Sequence, residues 1–151
     1  MNINEHTTPA KLEYYSFMWS EVRLVIAAIA LFVGGIPPIY LLLGSVPGIY
    51  GLLQPLLVLS WLVSGAASGY MAYRWNKGGQ MLFGKKEQND TYAFFVSVVS
   101  GINLGLTGLL GNNIGMSISH NKTIFLLVGL LYLASAGYLW KRWNSNNHHI
   151  F

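Results

Sequence analysis

The sequence predicts an all-α integral membrane bundle of four transmembrane helices, and three observations carry that prediction. Only 9% of the 151 residues are charged while 53% are hydrophobic, whereas a soluble domain carries about 25% charged residues. The chain contains four long apolar runs, and a helix needs about 20 such residues to cross a bilayer. All five acids and all nine bases lie outside these runs or at their very ends. The spans are expected at about 22–43, 55–73, 91–111 and 123–140, in a single domain covering 1–151. No room is left for a separate soluble domain. Cysteine is absent, which excludes disulfides, thiolate catalysis and thiolate-bound metals. The net charge of +4 reads as membrane topology rather than nucleic-acid binding, because the bases sit beside the spans.

Residues 1 to 8 are polar. Thr8-Pro9 suits a helix start, with Thr8 as N-cap and Pro9 in the first turn. Tyr14, Tyr15, Phe17 and Trp19, mixed with Lys11, Glu13, Glu21 and Arg23, predict a helix entering the headgroup zone. The first span should run from about Val22 to Gly35, or on to Leu43. Gly34-Gly35 and Pro37-Pro38 should end or kink it. This run is too long for a signal-peptide core and lacks a clean small-x-small cleavage site, so it is expected to be retained.

Residues 36 to 54 hold Pro37, Pro38, Gly44, Pro47, Gly48, Gly51 and no charge. So apolar a connection is expected to lie in the interface or dip back against protein. The second span should begin near Pro55, capped by Gln54, and end near Tyr73. Its Ser64-Gly65-Ala66-Ala67-Ser68-Gly69 stretch includes a GxxxG pair, a signal for close helix approach. Residues 74 to 90 form the longest polar connection, and Met81-Leu82-Phe83 in its middle should rest on the membrane surface.

Asp90-Thr91 should cap the third span, which is the most lopsided of the four. At about 100° per residue, Phe95, Val98, Val99, Ile102, Leu106, Leu109 and Leu110 share one side. Ser97, Ser100, Gly101, Asn103, Gly105, Thr107, Gly108 and Gly111 share the other, with only Leu104 intruding. That second side should meet neighbouring helices or line a path. The polar, uncharged connection 112–121 contains His120. The fourth span should run from Thr123 to Trp140, followed by Lys141-Arg142-Trp143 and a polar tail.

With both termini cytoplasmic, eight of the nine bases fall inside: Lys11, Arg23, Arg74, Lys77, Lys85, Lys86, Lys141 and Arg142. Only Lys122 falls outside, a strong bias under the positive-inside rule. The outward Asn121-Lys122-Thr123 sequon lies too close to the bilayer to favour a glycan. Gly69–Asn76 matches Gly137–Asn144 at five of eight positions, 68 residues apart. Two parallel-repeated hairpins related by an axis along the membrane normal would give this match. So would the common tendency of helices to leave a membrane in Tyr, Trp and Arg. At the same offset the first and third spans resemble each other poorly.

No span is expected to carry an ionisable group near its middle, which argues against proton relays, voltage sensing and ion-coupled transport. No catalytic residue, cofactor or metal ligand is assigned. His6, His120, His148 and His149 fall in tails or loops, with His148-His149 at most a weak metal pair. Asn103 is the most informative polar residue. A helix–helix hydrogen bond, about 0.6–2 kcal/mol in a bilayer, is weighed there against a pore contact. Arg74, Lys77, Lys85, Lys86, Lys141 and Arg142 are candidates for anionic lipid headgroups.

The leading expectation is a non-enzymatic membrane subunit that forms a homo-oligomer or joins other membrane proteins, in a bacterial inner membrane or an organelle membrane. The alternative is a small channel or facilitator for a neutral or anionic solute, with Ser100, Asn103 and Thr107 lining the path. An interfacial lipid enzyme using Glu21, Arg23, Asp90 or His120 is the third class.

Overall fold

The computed structural model describes residues 8–118 and 121–151. In chain order the helices are α1 (Pro9–Phe32), α2 (Pro38–Leu43), α3 (Tyr50–Lys77), α4 (Gln88–Leu110), α5 (Ile114–Ile118) and α6 (Lys122–Ser145). Among the described residues, α1, α3, α4 and α6 are long and apolar enough to cross a membrane. The chain is therefore an all-helical membrane protein with two short connecting helices.

Several boundaries differ from the sequence expectation. Thr8 is the N-cap of α1 and Pro9 opens the helix, although the Thr8 side chain makes no capping bond. The first span thus begins thirteen residues before Val22 and ends before Gly34 and Gly35, both at φ +86°. That left-handed backbone is open to glycine and costly for other residues, and Pro37-Pro38 completes the break. Residues 38–43 are therefore a separate helix and not a continuation of the span. Helix α3 starts five residues ahead of Pro55, so Gln54 lies inside the helix and is not its cap. Glu87, not Asp90-Thr91, is the N-cap residue of α4. Asn121 does cap α6, its side chain accepting from the Thr123 amide at 2.8 Å. His6 and His120 lie outside the described residues.

The four long helices alternate in direction. One end of the bundle gathers the start of α1, the end of α3, the start of α4 and the end of α6. Two ion pairs close this end. Arg74 of α3 pairs with Glu13 of α1. Arg142 of α6 grips the Asp90 carboxylate of α4 at 2.8 and 2.7 Å, and the Tyr138 hydroxyl donates to the same carboxylate at 2.7 Å. Asp90 is wholly buried by this arrangement, so its carboxylate serves the helix pair rather than the helix terminus.

The hairpin after α3 does not rest on the membrane surface. Leu82 and Phe83 are buried in a cluster with Phe17, Met71, Phe94, Leu139, Trp143 and Ile150, and only Met81 is exposed. The Phe83 amide donates to the Ile150 carbonyl at 2.8 Å. The tail after α6 is therefore part of the fold, with Ile150 and Phe151 packed among the aromatics of α4.

Helices α3 and α4 make the closest approach. A Cβ on Gly65 would lie 2.7 Å from the Gly105 Cα, so only paired glycines permit this crossing. Gly108 similarly faces Leu62. The small side of α4 points into the bundle: Ser97, Ser100, Gly101, Gly105 and Thr107 are buried, while Val99, Ile102, Leu109 and Leu110 are exposed. Exposed leucine, valine and isoleucine suit a lipid-facing surface.

Candidate functional site: a buried arginine beside a central cavity

Because α1 begins at Pro9, its charged pair is carried deep into the bundle. Arg23 lies 14 residues along α1, about 21 Å at 1.5 Å per residue. Ser100, which it touches, lies ten residues beyond Asp90, about 15 Å past the ionic layer. Half of a hydrocarbon core is also about 15 Å. The expectation that no span carries a charge near its middle is therefore wrong. Glu21 and Arg23 are each only 5% exposed. In the sequence they resemble the flanking charges of a span that starts at Val22; in the fold they lie inside one that starts at Pro9.

The guanidinium is held by α4. Its Nη1 donates to the Ser100 hydroxyl at 3.1 Å, and its Nη2 to the Ser97 carbonyl at 2.8 Å and hydroxyl at 3.2 Å. Gly101 makes room for it, since a Cβ there would lie 2.9 Å from the arginine Cζ and collide with the Ser68 hydroxyl. Among the described residues, Arg23 Nε, both Glu21 carboxylate oxygens and Ser68 Oγ have no hydrogen-bond partner. No carboxylate among the described residues forms an ion pair with Arg23.

Arg23 also borders a cavity of about 690 Å³ that runs toward the end of the bundle opposite the ionic layer. Polar groups reach it from Ser60, Ser64, Ser100, Asn103, Thr107 and Tyr132. Asn113 adds a polar group toward the far end, and the remaining wall is mostly apolar, with Leu31, Pro37, Pro38 and Leu42 near that end and Met116 and Phe125 opposite. A pocket of about 300–1,000 Å³ with a few convergent polar groups is the usual form of a small-molecule site. The Trp19 indole donates to Ser64 at 3.0 Å, and Ser64 in turn to the Ser60 carbonyl at 2.7 Å, fixing the α1–α3 wall.

The residues singled out on the inner side of α4 now have a place. Ser100, Asn103 and Thr107 line the cavity, Ser97 and Gly101 hold and accommodate the arginine, and Gly105 and Gly108 seat α3. Asn103 bonds to a connector rather than a neighbouring span: its amide donates to Asn113 at 2.9 Å and accepts from the Gly115 amide at 3.3 Å. Of the headgroup candidates, Arg74 and Arg142 are taken up by ion pairs. Lys77, Lys85, Lys86 and Lys141 remain exposed at the basic end. Of the proposed interfacial acid–base groups, Glu21, Arg23 and Asp90 are all buried. His148 lies against the Trp143 ring at 4.2 Å.

The sequences of α1 and α4 share identities at a fixed offset. Tyr15 and Tyr92, Phe17 and Phe94, Ser20 and Ser97, and Val22 and Val99 are identical pairs, each 77 positions apart. All six buried residues of α1, shifted by 77, fall on buried residues of α4. The even-numbered spans match at 68, and the longer connection that holds α2 accommodates the difference. Contacts repeat as well. Tyr70 and Tyr138, Arg74 and Arg142 each bond to the first helix of their own hairpin. Trp75 packs on Phe94 and Trp143 on Phe17, each across hairpins.

Comparison with known protein families, with curated proteins and with solved structures finds no match.

Proposed function

We propose that the protein is a small membrane facilitator for an anionic solute, built as a parallel repeat of two hairpins with the basic end cytoplasmic. One observation carries this: a guanidinium buried inside a span-length helix, with no carboxylate within ion-pair distance among the described residues, borders a cavity large enough for a small molecule. An arginine at the centre of a membrane costs several kcal/mol, so such residues are rare and generally mark a pathway or ligand site. Serine bonds offset only part of that cost, and an anion would complete the compensation.

The repeat adds a geometric argument. Arg23 is the counterpart of Ser100 at the 77-residue offset, and the two touch at 3.1 Å. Positions related by a two-fold axis come into contact only beside that axis. The guanidinium would then stand next to an axis along the membrane normal, on the route a solute would take. Hydroxyls of Ser60, Ser64, Ser100 and Thr107 would replace the solute's water. The aromatic cluster packs the basic end of the bundle and contributes no residue to the cavity wall, so passage would require this packing to loosen and flux should saturate.

The test is flux of small organic and inorganic anions into proteoliposomes. Wild type should carry at least one class, Asn103→Leu should carry less, and Arg23→Gln should carry almost none. Folded wild-type protein without flux for any anion would remove the proposal.

One observation favours association with other membrane proteins as a second reading. Gly69 and Gly137 occupy the same position in the repeated motif, and a Cβ on either would meet nothing within 4 Å. Bare glycines on a membrane helix admit a partner helix. Native mass measurement in mild detergent, with Gly69→Leu and Gly137→Leu beside wild type, tests this. Association that survives both substitutions would exclude these faces.

A further inference from the structure

We infer that the occupant of the cavity is a single-chain, singly charged amphiphile, a carboxylate on a hydrocarbon body, with its head against Arg23. The inference rests on the anion reading above and narrows it to a chemical class. Among the described residues that line the cavity Arg23 is the one cation, and its Nε N–H and the second N–H on Nη1 make no hydrogen bond to them. One positive charge in a desolvated site balances one negative charge. A dianion such as a phosphomonoester would leave excess negative charge there, with the Glu21 carboxyl only two residues away.

The rest of the cavity argues against a small inorganic ion. Ser100 bonds to Arg23, and Ser60 and Ser64 line the cavity with it, whereas toward the far end Leu31, Pro37, Pro38, Leu42, Met116 and Phe125 outnumber the polar Asn103, Thr107 and Asn113. An inorganic anion at Arg23 would leave most of about 690 Å³ unfilled against these apolar groups. A hydrocarbon body fills them and is removed from water in doing so. The head would lie at the centre and the chain would run back toward the end opposite the ionic layer.

Trp19 and Trp61 both line the cavity, which supplies a direct readout. A bromine-bearing long-chain carboxylic acid, presented in detergent at a pH well above its own titration, should quench tryptophan fluorescence with saturation. The matching brominated alcohol should quench far less. Trp61→Phe should lose much of the signal. Arg23→Gln should weaken acid binding about tenfold or more, as for loss of a charge-assisted hydrogen bond, while Arg23→Lys should keep most of it. Equal quenching by acid and alcohol in the wild-type protein overturns the inference without any variant. So does equal, Arg23-independent quenching by a brominated phospholipid of the host bilayer, which would place an ordinary membrane chain in the cavity. Saturable acid binding without flux would leave the ligand assignment standing and remove the facilitator. Arg23-dependent flux of inorganic anions without quenching would do the reverse.

Discussion

Gly101 has to be small because Arg23 is large. Glycine on the inner side of α4 has two distinct physical roles, and substitution separates them. At Gly105 a Cβ would meet the backbone of Gly65 at 2.6 Å, so alanine there forces two helices apart. At Gly101 a Cβ would meet the guanidinium, so alanine there displaces the charge from Ser97 and Ser100. Overpacking of this kind costs about 1–3 kcal/mol. Gly69 has open space, and replacing an open helical glycine by alanine removes a propensity penalty of about 1 kcal/mol. Thermal midpoints in detergent should therefore fall for Gly101→Ala and Gly105→Ala and hold or rise for Gly69→Ala. Gly101→Ala should also weaken solute binding beyond what Gly105→Ala does. Equal midpoints for Gly105→Ala and Gly69→Ala would mean that the α3–α4 crossing is not held by its glycines.

At the scale of elements, each hairpin is closed at the basic end by one arginine, Arg74 on Glu13 and Arg142 on Asp90 with Glu87 nearby. Asp90 is the stronger anchor: it is fully buried, takes both arms of Arg142 and accepts a third bond from Tyr138. Removing one partner of a buried pair costs about 3–5 kcal/mol. Arg142 is a quarter exposed and keeps Glu87 nearby at 3.4 Å, which places Asp90→Asn toward the lower end. Glu13→Gln should cost less, because Arg74 is about a third exposed and partly screened. Denaturation in detergent should rank the two variants in that order, and the reverse ranking would contradict the burial argument. The long helices themselves were legible from charge depletion alone, and the inner side of α4 from its periodicity. The helix start at Thr8-Pro9 was legible as well, but the inclusion of Glu21 and Arg23 in the span was not, because Tyr14, Tyr15 and Trp19 beside them mimic a membrane entry. A comparison of α1 with α4 at an offset of 77 contained the missing signal, since Ser20 and Ser97 are both buried and Arg23 falls on Ser100. The match of the even-numbered helices at 68 concealed it. The pairing of Leu82 and Phe83 with Ile150 is a long-range contact that no local pattern announces.

Over the whole molecule, the proposed repeat and the charge distribution predict the same topology. If the hairpins are parallel copies, the connection between them and the tail after the second must share a side, and the α4–α6 connection must lie opposite. With Arg23 inside the bundle, seven of the nine bases flank the basic end and Lys122 stands alone at the other. That asymmetry favours a cytoplasmic basic end. The chain has no cysteine, so single-cysteine variants report position without background. Lys86→Cys and Asn147→Cys should react with a membrane-impermeant thiol reagent only after the cytoplasmic side is opened. Lys122→Cys should react in intact cells. All three positions are charged or polar and face away from the core, so the substitutions disturb no packing described above. Labelling of Lys86→Cys and Lys122→Cys from the same side would break the four-span arrangement and the axis together. Arg23 would then lose its place on the route across the membrane.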